Sequence, residues 1–465
     1  VTLPFDLEAK RIAILGAGRE GQAVYDWLKA RNPQLSLQVF AESEPDARFR
    51  ARLAPGDTVL VGSLDEVQLA DFEALLRSPG ISSYRPALKQ AVDAGAQMIS
   101  PSSLWFAANP DAKTICITGT KGKSTTSALV AHMLQACGNK VQLAGNIGTP
   151  LLACDTAGID WWVVELSSYQ LCDLHAQPHI GVLLNFSPEH LSWHGGFKNY
   201  RRDKLRLAQL TAPGGLVVNA VDAGLKAEFA QDTAITWFNS PDGIHTEGRE
   251  FRDGASRLDV VMPDHMPGQH NRSNVAAALT VVRKAGFGLA PAIASLQTYQ
   301  SLPHRLQVLG EKDGVTWIND SIASTPVATA AALEALADKT VILLVGGLDR
   351  GLDWSSYGPD FRRHTPKALI AMPDNGPAVL ATLRQQGIAC PAGEHRVADL
   401  QSGVALARKL AQPGDAVLLS PGAPSFPQFV DYQHRGQEFA RLAGFQSTKK
   451  CPVEGDNRAS LIGSV

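Results

Sequence analysis

The chain has 465 residues, of which 45% are apolar and 19% charged, and its formal net charge is −2. This length predicts two to four domains with sizeable cores, and the composition is that of an ordinary soluble protein. The near-neutral balance argues against a nucleic-acid partner, no apolar run is long enough to span a bilayer, and no basic-then-apolar leader opens the chain. Six scattered cysteines without CxxC pairs (Cys116, Cys137, Cys154, Cys172, Cys390 and Cys451) read as buried, reduced thiols.

Residues 11–21, RIAILGAGREG, read as a strand ending in the glycine pattern of a dinucleotide fingerprint, with a helix over 22–30. A second strand over 35–40 ends at Ala41 and Glu42, an acid placed to hold a ribose hydroxyl. Alone this predicts NAD, but the same turn holds any diphosphate. Strands over 58–62 and 74–76 follow, the latter ending in the turn Ser78-Pro79-Gly80-Ile81. In an open parallel sheet ligands sit at that edge. Residues 1–108 therefore read as one doubly wound domain.

After a linker over 107–111, residues 113–135, KTICITGTKGKSTTSALVAHMLQ, give a strand, a glycine-rich turn and a helix. This is the context of a phosphate loop. The general form GxxxxGK[ST] occurs with its gap shortened by two, as Gly119-Thr120-Lys121-Gly122-Lys123-Ser124-Thr125. The glycines let backbone N–H groups converge on one anion, and the helix start adds positive partial charge. Lys123 can reach the β/γ-phosphates and the Ser124 hydroxyl is placed to ligate Mg²⁺. A strand over 161–166 closes on Glu165, the natural Mg²⁺ carboxylate.

A strand over 141–144 leads into Gly145-Asn146-Ile147-Gly148-Thr149-Pro150. Another over 179–185 precedes His190, which leaves the same sheet edge as Lys123 and Glu165. Trp193 and His194 read as loop residues, and Lys204 as an ordinary helix-surface lysine. Residues 215–219 and 233–261 read as short strands of a β-rich extension. Residues 268–274 then open a helix over 275–284, with Asn and His as caps. Beyond a boundary at 301–305 the α/β alternation resumes, with strands over 315–319, 340–345, 367–372 and 416–419. The polar stretch after 446 reads as a flexible tail.

GTKGKST, GNIGTP, ELSSYQL, LNFSPEHL followed by YRRDKL, GQHNRSN, LPHR, WINDS, LLVGGLDRG and LLSPGAPSFPQF occur in this order. On these motifs residues 8–445 resemble the Mur ligases, ATP-dependent amide-forming enzymes of peptidoglycan synthesis. The closest resemblance is to the branch that adds glutamate to UDP-N-acetylmuramoyl-L-alanine. It implies an α/β fold of three domains. These are a Rossmann-like UDP-sugar domain (1–108), a central ATP domain with a mostly parallel sheet (109–302) and a Rossmann-like amino-acid domain (303–446), before a tail (447–465). It also implies a cytoplasmic, monomeric enzyme using ATP and two Mg²⁺ sites, with no nucleic-acid or membrane partner.

The resemblance assigns Gly18, Arg19, Ser78, Pro79, Gly80, Asn146, Ser168 and His190 to the sugar nucleotide. ATP falls to residues 119–125 with Asn271, Asn274, Arg305 and Asp320. Catalysis falls to Lys123, Glu165, His190 and Lys204. Ser124, Glu165, His190 and a carbamylated Lys204 would be the metal ligands, because a carbamate can ligate a cation where an ammonium cannot. Ser324, Arg350, Ser425 and Tyr432 would hold the amino acid.

Departures from the branch pattern gather at that last pocket. Ile322 and Arg350 stand where lysines are usual. Gly422, Pro424, Phe426 and Pro427 alter the serine loop, and Tyr432 replaces Phe. Lys121, in place of Asn, is the exception within the ATP loop. These changes favour L-glutamate over D-glutamate as the acceptor. The competing readings are a D-glutamate-adding Mur ligase and a folylpolyglutamate synthase-like ligase. A switch NTPase leaves the outer domains without a role, and a dehydrogenase leaves Lys123 and Glu165 unused.

Overall fold

A computed structural model describes residues 3–147, 149–187, 191–266, 268–300, 302–349 and 351–445. They form two compact units, one drawn from residues up to 263 with 269–299, the other from 264–268 with residues from 300 onward.

In the first unit, β1 (Ile12–Leu15), β2 (Leu37–Ala41), β3 (Thr58–Val61), β4 (Ala74–Arg77) and β5 (Gln97–Ile99) form a parallel sheet in the order β3-β2-β1-β4-β5. Every residue of β1 and β4 is buried, which is why β1 and residues 74–76 of β4 read as unbroken apolar runs rather than as alternation. The chain leaves β1 toward one side of the sheet and reaches β4 on the other. The crevice at this switch point lies between the turns that follow β1 and β4.

A second parallel sheet contains β6 (Thr114–Thr118), β7 (Val141–Gly145), β8 (Trp161–Glu165), β9 (Ile180–Leu183), β10 (Leu216–Asn219) and β11 (Thr236–Phe238), in the order β11-β10-β9-β6-β8-β7. Its register pairs Ile117 with Glu165 and Thr118 with Leu183, so the turns after β6, β8 and β9 leave one edge together. The helix Lys123–Ala136 packs against the helix Gln269–Lys284. Trp105 packs tilted against Trp162, ring centroids 4.6 Å apart, carrying one continuous core between the two sheets.

The β-rich extension expected over 215–219 and 233–261 needs correction. β10 and β11 belong to the second sheet, β10 paired in parallel with β9 and β11 in parallel with β10. Only β12 (Ile244–Glu247), β13 (Glu250–Asp253) and β14 (Ser256–Leu258) form a separate antiparallel meander. A three-residue strand shows too little pattern to reveal its partner.

The second unit contains β15 (Gln307–Lys312), β16 (Val315–Asn319), β17 (Val341–Val345), β18 (Ala368–Ala371), β19 (Glu394–Arg396) and β20 (Ala416–Leu419), in the order β15-β16-β20-β17-β18-β19. All pairs are parallel except β15 with β16. That hairpin turns on Asp313 and Gly314, both at positive φ (53° and 73°), the two-residue turn that matches strand twist. Consecutive residues of β17 enter different cores, Leu343 and Val345 one face and Ile342 and Leu344 the other.

Of the cysteines expected to be buried, Cys116 is enclosed in β6, whereas Cys137, Cys154, Cys172 and Cys390 are half-buried and free. Helix ends and turns, rather than the sheet core, carry those four. Cys451 and the tail over 447–465 lie outside the described residues. Among the described residues no helix is long and apolar enough to cross a membrane.

Candidate active site

The turn after β6 is fixed by the chain leaving β9. The Asn185 carbonyl accepts from Thr120 N (3.0 Å), and the Asn185 side chain exchanges two bonds with the Lys121 backbone (2.7 and 2.9 Å). A Cβ at Gly119 would lie 2.8 Å from Leu184 Cβ. Gly122 has φ +82°, and a Cβ there would lie 2.6 Å from Asn274 Oδ1. Only glycine fits a left-handed position this close to a neighbour. No side chain caps the helix that starts at Lys123, so its first N–H groups are left for an anion. Lys123 Nζ donates to the carbonyls of Gly119 (2.9 Å) and Thr120 (3.0 Å), which keeps the ammonium over the turn.

Lys204 departs from the surface role read from the sequence. It is only 3% exposed, and its Nζ donates to the same Gly119 carbonyl at 2.8 Å. The helix Phe197–Leu210 buries Tyr200, Asp203, Lys204 and Leu207 on one side, and that side faces the phosphate loop. Tyr200 OH and Thr120 Oγ1 lie 3.0 Å apart across the same contact.

Glu165 is 1% exposed. Its Oε1 accepts from Asn146 Nδ2 at 2.8 Å, whereas its Oε2 and the buried Ser124 Oγ have no hydrogen-bond partner among the described residues. Two orphaned oxygens, one in the first turn of the helix after the phosphate loop and one at the end of the neighbouring strand β8, suit a hard divalent cation. No cluster of three or more His, Cys, Asp or Glu occurs among the described residues. A cation held here would therefore take its remaining ligands from phosphate and water, as Mg²⁺ does. His190, expected to serve both metal and substrate, lies outside the described residues.

A cleft of about 450 Å³ opens beside the glycine turn of the first sheet. Gly18, Arg19, Ser78, Pro79, Gly80 and Asn146 all line it, as do Glu20 and Gln170, which sequence reading passed over. Ser168 is not among the lining residues. It is buried, and its Oγ lies 2.9 Å from His194 Nε2. Glu42, read as a ribose ligand, is paired with Arg85 at 2.6 Å.

Burial pushes the Glu20 carboxyl up to about 7 against the pull of Arg19. The folded chain then holds this proton to higher pH than the unfolded chain, so folding stability falls as pH rises from about 4.5 to about 7. Glu20→Gln removes that loss. Its melting temperature relative to the parent is expected to increase between pH 5 and pH 8. A difference that stays constant across calorimetric scans would contradict this.

Residues 10–100 match the Mur ligase MurD-like N-terminal domain, 117–282 the Mur ligase middle domain and 304–422 the Mur ligase glutamate ligase domain. The chain is 42% identical over 463 residues to a UDP-N-acetylmuramoyl-L-alanine–L-glutamate ligase of Xanthomonas axonopodis pv. citri, covering 97% of this chain and 98% of that one. The chain belongs to the Mur ligase family. Ligases of the same name from Xylella fastidiosa (41% identity; 97% of this chain, 98% of that one) and a Micromonospora species (36%; 94% and 96%) are also similar. Among solved structures, the UDP-N-acetylmuramate–alanine ligase MurC of Thermotoga maritima has a TM-score of 0.56 at 17% identity, covering 93% of this chain and 98% of that one. The MurF ligase of Thermotoga maritima in complex with ADP gives 0.56 at 16%, covering 93% of each chain. At these identities the likeness is one of fold.

In this Mur ligase the remaining assigned residues divide between the units. Asn274 accepts from Thr126 Oγ1 (3.2 Å), and its Nδ2 lies 3.4 Å from Asn271 Oδ1, both on the helix beside the phosphate loop. In the second unit Arg305 is half-buried and Asp320 is buried. The Asp320 oxygens accept from Ser420 Oγ (2.8 Å) and Leu306 N (3.1 Å), and burial pushes its carboxyl up to about 6. Ser324 is exposed, Ser425 buried and Tyr432 half-buried at the start of the helix Tyr432–Ala443. Arg350 lies outside the described residues.

Sequence reading missed Arg435, 1% exposed, which donates to the Ser321 hydroxyl and carbonyl and to the Ala423 carbonyl, tying together the loops that follow β16 and β20. It also placed His194 in a loop. His194 closes a short helix, Leu191–His194, is fully buried and pairs with Asp203 at 2.7 Å. Neither residue has a local signal, because each is buried by partners distant in sequence.

Proposed function

We propose that the enzyme joins L-glutamate to the alanyl carboxyl of UDP-N-acetylmuramoyl-L-alanine, with conversion of ATP to ADP and phosphate, as a cytoplasmic, monomeric step of peptidoglycan precursor synthesis. The observation that carries this reading is the 42% identity, across 97% of the chain, to a ligase of that name. The geometry supports it. One unit holds a diphosphate-sized cleft lined by the glycine turn and a phosphate loop with an acid corner, the two places that a sugar nucleotide and ATP require.

A free carboxylate is a poor acyl donor because its leaving group would be oxide. An alanyl oxygen therefore attacks the γ-phosphorus, the bond to the ADP oxygen breaks, and an acyl phosphate forms. The glutamate amine then adds to the acyl carbon and phosphate departs with the C–O bond pair. Lys123 neutralises charge gathering on the phosphoryl oxygens. The uncapped N–H groups after Gly122 hold the same group in line. Ser124 and Glu165 would hold one Mg²⁺, and His190 with a carbamylated Lys204 a second. Bound there, magnesium supplies Lewis-acid charge to phosphate and carboxylate oxygens. A carbamate on Lys204 keeps one N–H, so its bond to the Gly119 carbonyl survives the modification.

The acceptor enantiomer decides between this reading and D-glutamate addition. Purified enzyme with ATP, Mg²⁺ and the sugar nucleotide is expected to release phosphate at least about tenfold faster with L-glutamate than with D-glutamate. The reverse preference would refute the L-glutamate assignment. Release with a folate in place of the UDP sugar would refute the substrate class.

A further inference from the structure

Arg77 closes β4 and is completely buried, although the chemistry above leaves it no role. Its Nε and one terminal nitrogen donate to the two carboxylate oxygens of Asp173 at 2.8 and 2.9 Å, a bidentate pair across 96 sequence positions. The same terminal nitrogen donates to the Tyr169 carbonyl at 2.9 Å. The other donates to the carbonyls of Ser78 (3.3 Å), Pro79 (3.4 Å) and Ile81. One guanidinium thus grips the loop 78–81, a wall of the cleft, and the turn 169–173, which follows Glu165 and carries Gln170, another wall. A planar fork of five donors meets this set of acceptors, and the three donors of an ammonium do not. Stability alone does not call for the pair, because exchanging a buried ion pair for well-packed apolar residues is commonly neutral or stabilising.

We infer that Arg77 is a positioning residue for the sugar nucleotide. It holds the loop 78–81 at a fixed place relative to the turn behind Glu165, so that the diphosphate seat and the acid corner keep one spacing. The inference rests on the reading of the cleft as the sugar-nucleotide site.

Arg77→Met/Asp173→Leu removes both charges together and leaves neither buried alone, while the carbonyls of 78–81 lose their clamp. Arg77→Lys keeps a cation beside Asp173 and gives up most of the carbonyl contacts. Titration calorimetry with UDP-N-acetylmuramoyl-L-alanine and, separately, with ATP reads the effect in the full chain. For both variants the Kd of the sugar nucleotide is expected to rise at least about tenfold while that of ATP stays within about twofold, as displacement of a positioning loop predicts. A variant that binds the sugar nucleotide as the parent does overturns the inference. So does an equal loss for both ligands, which is the mark of general destabilisation. A parent that binds ATP but no UDP sugar overturns the inference together with the functional reading beneath it, a result distinct from either of the others.

Discussion

Lys123→Ala is expected to lower glutamate-dependent phosphate release by about a thousandfold, with little change in melting temperature. The ammonium sits over its own turn, bound to the Gly119 and Thr120 carbonyls, both within four residues of it in sequence. Its removal therefore costs the fold little. It costs the transition state a positive charge fixed beside the phosphoryl group as the bond to ADP breaks. Water entering the gap has to reorient at each turnover, whereas the lysine is already in place. Steady-state phosphate release with calorimetry on the same preparations separates the two effects. A variant that loses activity only in proportion to lost folded protein would contradict the assignment.

Glu165→Gln is expected to lower the rate by about a hundredfold or more and to raise the Mg²⁺ concentration needed for half-maximal activity. The substitution keeps volume and keeps an oxygen for Asn146 Nδ2. What it removes is the charge on the oxygen that has no partner among the described residues. A carboxylate 1% exposed with one oxygen unsatisfied is costly unless a cation completes it. The variant is thus expected to gain stability in the absence of metal while losing turnover in its presence. Activity titrated against Mg²⁺ for both proteins is the check, and an unchanged magnesium requirement would contradict the assignment.

Much of this site can be read locally. β1, β6 and β8 are buried throughout and read as mostly apolar runs, as does β4 up to Arg77, and each leads into the glycine, serine or acid that the sheet edge requires. The β15–β16 hairpin is equally legible through its Asp313-Gly314 turn. Lys204 was not legible, because its burial depends on Gly119, 85 positions away. The same holds for Arg77, whose partner lies 96 positions on. Charged residues on an amphipathic helix or at a strand end look the same in sequence whether they face water or a distant carboxylate. Only the packing of one sheet's turns against another's distinguishes them.

The central claim is that the phosphate loop passes the γ-phosphoryl group of ATP to a carboxyl of the sugar nucleotide. The most direct test supplies UDP-N-acetylmuramoyl-L-alanine with ¹⁸O in both alanyl carboxyl oxygens, together with ATP and L-glutamate, and analyses the released phosphate by mass spectrometry. Transfer of one ¹⁸O atom to phosphate in each turnover is the predicted result. Amide product accompanied by unlabelled phosphate would contradict the account.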